Sequence, residues 1–317
     1  MLSFPLDGRL ERAALNPLLA AVLGLLVAFV LFQGISTLVA FGLILIWHAV
    51  PLSELVADMP VVLETHAADL IVANTVGQVF GLLVPSILFA RLHSSAWPGM
   101  LRVRRAPVVF TIVSVVALLA LIPLVQALGA WADSWPWPES IRHFEQGQMD
   151  LIERILLQDF PLVFSISMLA LTPAICEEFL FRGYVQRQAE RSLGALHGVL
   201  FSGIVFGLYH LRLTQALALS VLGIYLAWIT WRSGSILPAI LVHLVNNALA
   251  AVLGKLSAVG DLEVDLETFQ VPWPIVAGGV AVFALLVIVM NRVAGSPVSE
   301  DDVPSDRLPA QPEQPNE

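Results

Sequence analysis

The stretch Thr172–Leu193, TPAICEEFLFRGYVQRQAERSL, sets two adjacent glutamates, Glu177 and Glu178, at the end of a long apolar run, with Arg182 four residues after Glu178. An ionised carboxylate costs free energy in a lipid-facing helix, so a glutamate pair inside a span points to a functional site. Glu178 and Arg182, at i and i+4, can pair along a helix. Glu177 lies about 100° from Glu178 around the axis and is left to face elsewhere.

Working outward, 57% of the 317 residues are hydrophobic and 13% charged, and the mean hydropathy is +0.82. A soluble domain carries about 25% charged residues. Apolar runs of about 20 residues recur, each long enough to span a bilayer. No alternating barrel pattern accompanies them, so the expected fold is all-α: a polytopic transmembrane helical bundle of about eight spans. The single cysteine, Cys176, excludes a disulfide framework and reads as packing. The net charge of −9 gives no basic surface for nucleic acid.

Residues 1–13 form a short N-terminal segment. The spans are read at about 14–50, either one long tilted helix or one kinked by a break near Gly34, then 70–92, 108–130, 160 into the glutamate pair, 197–213, 215–231, 236–254 and 273–291. The stretch 131–159 reads as a polar loop, with six acids and the interface-type WPWP of Trp135–Pro138. The division is thus 14–159 for the N-terminal helices and loops, 160–254 for a catalytic core, and 255–294 for an acidic loop and last span. The tail, 295–317, rich in proline and acids, is expected to be disordered.

With eight spans and the N-terminus inside, twelve of the sixteen Lys and Arg residues fall on inner segments. This bias expects both termini in the cytoplasm. The short tail and the lack of recognised targeting signals fit a bacterial inner (plasma) membrane protein.

Three further polar groups lie within spans. His210 ends FGLYH, late in the fifth. His243 and Asn247 share one face of the seventh, one turn apart in HLVNN. Taken one at a time, each has an ordinary reading as a packed histidine or as interhelical glue. Other intramembrane chemistries fail on spacing. There is no HExxH; Ser202-Gly203 lacks the preceding glycine of a GxSG, Leu200 standing there; Gly260-Asp261 falls in an outer loop.

Taken together the residues resemble a family. Glu177-Glu178-Phe179-Leu180-Phe181-Arg182 is similar to the EExxxR motif of the CPBP (Abi, type II CAAX protease-like) intramembrane proteases. Phe206–His210 resembles their FxxxH and His243–Asn247 their HxxxN; the linking stretch WRSGSILPAILVHLVNN (Trp231–Asn247) is also similar. The resemblance covers about Leu169–Leu253. It implies an eight-helix bundle with a cavity open to the cytosol, hydrolysing peptide bonds of membrane-associated peptides or proteins. It implies Glu177 as activator of water, His210 as its positioner, His243 and Asn247 as oxyanion donors, and Glu178 and Arg182 as support.

The chemistry is coherent on its own terms: amide hydrolysis needs a base, a water and donors for the developing charge. The family is described both as zinc proteases and as metal-free glutamate proteases. Zinc would take His210, His243 and Glu177. The lack of evident polar partners for the histidines, apart from Asn247, favours the metal-free form. The competing readings are a catalytically silent relative acting as a binding or immunity protein, and a proton-coupled transporter. Along their spans the groups converge only if the fourth helix continues to about Arg191, burying Arg182.

Overall fold

The computed structural model describes residues 4–258 and 270–294 (for 153 and 156, the backbone only); the expected disordered tail and most of the acidic loop lie outside them. Among the described residues the chain is helical, without strands. Nine helices organise it: α1 Pro17–Trp47, α2 Ala67–His93, α3 Val108–Asp133, α4 Glu139–Leu157, α5 Leu162–Leu193, α6 Ala195–Tyr209, α7 Ala216–Ser233, α8 Leu237–Ala258 and α9 Trp273–Val293. Seven of these are long and apolar enough to cross a bilayer, and α6, shorter but apolar, takes the place of the expected fifth span. The protein is an integral membrane protein.

One expectation changes. The stretch read as a polar loop folds as α4, whose apolar residues recur at helical spacing (Ile141, Phe144, Ile152) around a buried Glu145. Of the two forms open for the first span, the continuous one is found: the helix runs unbroken to Phe41, and its last turns, Gly42–Trp47, are π-helical.

Proline shapes α2 and α5 alike. Pro85 and Pro173 each follow a π-helical stretch, Val79–Leu83 and Ser167–Leu171. A helical proline lacks the N–H and crowds the carbonyl four residues earlier, and a widened turn relieves both. Beyond Glu178, α5 again becomes π-helical over Phe179–Val185. Ser202 of α6 donates to the Phe181 carbonyl there, at 3.2 Å, a side-chain bond to a carbonyl of the widened stretch.

The core has two halves. One joins α1, α2, α5 and α6 around Leu82, Leu180, Phe181, Tyr184 and Phe206, with Cys176 among them. The other joins α3, α7, α8 and α9 around Phe110, Leu118, Leu226 and Val242. They meet where α6 lies on α7. A Cβ on Gly203 would stand 2.4 Å from the Ile224 nitrogen, and one on Gly207 2.6 Å from the Ala216 carbonyl oxygen. Glycines four apart on one face are what let two membrane helices approach backbone to backbone. Gly194, at φ +81°, makes the turn from α5 into α6.

The charged residues sort to the two ends. At one end Arg191 grips Glu11 at 2.7 and 2.8 Å, Arg102 pairs with Glu190, and Arg187 lies over the Phe4 ring. The N-terminal segment is therefore docked there. At the other end Arg154 of α4 pairs with Glu64.

Candidate active site

Glu178 is fully buried, and its Oε1 accepts from Arg182 Nη1 at 2.9 Å, the i,i+4 pairing the sequence expects. Arg182 is also fully buried: α5 does continue to Leu193, as the depth argument requires. Its guanidinium donates from Nη2 to the Gly223 carbonyl at 3.1 Å and lies 4.3 Å from the Phe206 ring centroid. One turn on, Gln186 donates to the Ala227 carbonyl at 3.0 Å. These two rungs fix the rotation of α5 against α7, and so the direction in which Glu177 points.

The same Glu178 Oε1 lies 2.9 Å from His243 Nδ1 on α8. This bond places Nδ1 on the carboxylate and turns Nε2 away from it. His243 Nε2 is 3.9 Å from Glu177 Oε2. The two glutamates thus address opposite nitrogens of one imidazole, which is how adjacent residues pointing about 100° apart come to serve one site.

His210 closes the α6 C-terminus. Its Nδ1 bonds to the Phe206 carbonyl at 2.9 Å, which turns Nε2 toward Glu177 Oε2 at 4.0 Å. Glu177 Oε2 is itself buried without a hydrogen-bond partner. A buried carboxylate oxygen facing two imidazole nitrogens, each beyond direct hydrogen-bond reach, leaves a gap that one small polar group can bridge.

Five of the six expected residues are therefore assembled: Glu177, Glu178, Arg182, His210 and His243. Asn247 lies one turn beyond His243 on α8, and no hydrogen bond joins it to the other five; its Oδ1 accepts from Asn246 Nδ2 at 3.3 Å. The expectation that the histidines lack polar partners is overturned, since each ring has its Nδ1 bonded. Phe206 has a larger part than its place in a motif discloses. Its ring packs edge-on against His210 and His243, with centroids 4.8 and 5.7 Å away, besides carrying Arg182. An aromatic four residues before a histidine on a helix is the signal that marks it.

Zinc is the metal the resemblance allows. Glu177 Oε2, His210 Nε2 and His243 Nε2 are suitable donors, and the bonded Nδ1 atoms supply the outer partners that zinc-bound histidines need. The spacing is wide: ligands about 2.0–2.1 Å from a tetrahedral ion stand about 3.3 Å apart, against 3.9 and 4.0 Å here.

Beside His210 a recess of about 360 Å³ opens between α4 and α6, lined by Ser140, Phe144, Glu145, Leu208, Leu211 and Leu213. Glu145 anchors α4 there, accepting from the Leu213 N–H and the Thr214 hydroxyl, both at 2.6 Å.

No curated protein and no solved structure gives a significant match. A family model described as type II CAAX prenyl endopeptidase Rce1-like matches residues 159–249, which hold all six expected site residues. Over those residues the chain is similar to the Rce1-like family.

Proposed function

We propose that the protein is an intramembrane endopeptidase that hydrolyses peptide bonds of membrane-associated peptides or proteins with a water activated by Glu177. The observation that carries this reading is the unpartnered Glu177 Oε2, flanked at 4.0 and 3.9 Å by the Nε2 atoms of His210 and His243. A water seated between Glu177 and His210 donates one proton toward each. Its oxygen attacks the scissile carbonyl carbon as its proton passes to Glu177. The new oxyanion is met by His243, whose Nδ1 is anchored on Glu178, and by the Asn247 amide NH2. Glu177 then returns the proton to the departing amide nitrogen as the C–N bond breaks.

Charge supports the scheme. Arg182 balances Glu178, and when Glu177 takes the proton the negative charge moves to the oxyanion, beside His243 and Asn247. A buried ion pair that keeps both partners avoids the cost of about 3–5 kcal/mol that loss of one brings. The basic end faces the cytoplasm of a bacterial inner membrane, with both termini there.

A zinc-dependent variant of this reaction is favoured by one observation, the outer partners on both histidines. Glu177, His210 and His243 would then hold the ion, and its contribution would be Lewis-acid activation of water. The metal-free form is preferred because the donor atoms stand too far apart for one ion. The test is cleavage of a membrane-peptide panel by purified protein, before and after exhaustive chelation, with Glu177→Ala as the blank. Cleavage that survives chelation and is absent from the blank supports the proposal; no cleavage above the blank in either state refutes it.

A further inference from the structure

A second group of ligating side chains lies away from this site. His48 follows the last residue of α1, His66 immediately precedes α2, and Asp69 stands in the first turn of α2. Asp69 Oδ2 is 3.0 Å from His48 Nε2 and 3.2 Å from His66 Nδ1. The imidazole centroids are 4.6 Å apart, and one donor atom from each residue lies within 4.8 Å of the others. We propose that His48, His66 and Asp69 form a binding site for a divalent transition metal of the zinc class.

Donors held about 2.0–2.2 Å from one ion stand about 3.0–3.4 Å apart, along the edges of a tetrahedron or octahedron. The two separations from Asp69 fall in that range, and the imidazole donors, within 4.8 Å of each other, would draw together as the ion binds. They are long for charge-assisted hydrogen bonds, which run about 2.7–2.9 Å. Two imidazoles and one carboxylate select zinc and its neighbours over calcium or magnesium, whose ligands are mostly oxygens. Three protein ligands leave a position for water, and the His48 side chain, 38% exposed, gives the ion its entry.

The scaffold is built independently of any ion. The segment between the helices, with short helices Leu52–Ala57 and Met59–Thr65, closes over a separate small core of Ile44, Leu55 and Val62. The π-helical end of α1 and the left-handed Ala49, at φ 54°, set the direction of His48. Nearby Glu64 is already committed to Arg154. The ion ties the end of the first span to the start of the second.

This site is distinct from that of Glu177. Thr75, further along α2, bonds to Met168 Sδ on α5 at 3.3 Å, and Glu177 lies about 13 Å further along α5 at 1.5 Å per residue. The experiment uses the purified full chain, stripped by chelation and titrated with zinc chloride alone by calorimetry. Cobalt(II) absorption serves as a second readout of ligand geometry. Titration of His210→Ala/His243→Ala separates the two sites.

The expected result is one zinc retained in that double variant. Affinity should fall at least tenfold in His48→Ala and in Asp69→Asn, the latter nearly isosteric. Zinc should raise the unfolding temperature of the wild type and not of Asp69→Asn. Absence of zinc binding by the wild type, or an affinity unchanged in both His48→Ala and Asp69→Asn, would overturn the proposal.

Discussion

Glu178 Oε1 and His243 Nδ1 lie 2.9 Å apart across 65 residues of chain, both side chains buried. The same oxygen is bonded to Arg182 at 2.9 Å. Glu178 Oε1 is thus shared between a permanent cation and an imidazole, whereas Glu177 stands 3.9 and 4.0 Å from its two imidazole neighbours. The difference in partners predicts a difference in phenotype. Glu178→Gln leaves Arg182 buried without its counter-charge, a change that costs about 3–5 kcal/mol. It should lower the unfolding temperature markedly and reduce cleavage with it. An unfolding temperature equal to wild type would remove the shared-carboxylate account.

Asn247 is assigned as an oxyanion donor on its position alone, one turn past His243. Loss of one such donor costs about 10²–10³ in kcat. Asn247→Ala should show that loss with KM and unfolding temperature little changed. An effect confined to KM would reassign it to substrate binding.

The site's geometry depends on how closely α6 sits on α7. In Gly203→Ala the added Cβ meets backbone of α7 at 2.4–2.6 Å, atoms that cannot swing aside. Overpacking of this kind costs about 1–3 kcal/mol, and the displaced helix carries His210. Cleavage should drop together with stability, whereas Gly42→Ala, with nothing within 4 Å of its Cβ, should leave both unchanged.

These pairs mark the boundary of what the sequence discloses. The Glu178–Arg182 link follows from helical spacing and the continuation of α5 from the depth of its charges, whereas the gathering of His210 and His243 is implied by the family resemblance. The Glu178–His243 bond follows from none of these, because nothing local in either helix specifies which span lies opposite. The π-helical turn that re-aims α5 beyond Glu178 is equally silent in composition. In α4 the acids and the prolines before it masked a helical apolar period. His48, His66 and Asp69 stayed unseen because only the folding of the intervening segment brings them together.

Glu11 gives the basic end a pH dependence. Burial pushes its carboxyl up, but the hydrogen bonds from Arg191 and His93 outweigh this and hold it below its ordinary value. A depressed folded-state pKa means the stabilisation is complete above the unfolded value and is lost as pH falls through the folded one. The unfolding temperature of the wild type should therefore decline with acidification through and below the carboxylate range. Glu11→Gln should start lower and decline less. Parallel profiles for the two proteins would show that the docked N-terminal segment does not contribute this way.

The central claim is that Glu177 activates the water, and it is tested most directly by the cleavage rate of purified Glu177→Gln against wild type in proteoliposomes, with unfolding temperature measured on the same samples. General-base catalysis contributes about 10²–10⁴ in rate. The account predicts a loss of at least 10²-fold in a protein that still folds, since Glu177 Oε2 has no hydrogen bond to lose. A Glu177→Gln protein that folds normally and cleaves within tenfold of wild type would contradict it.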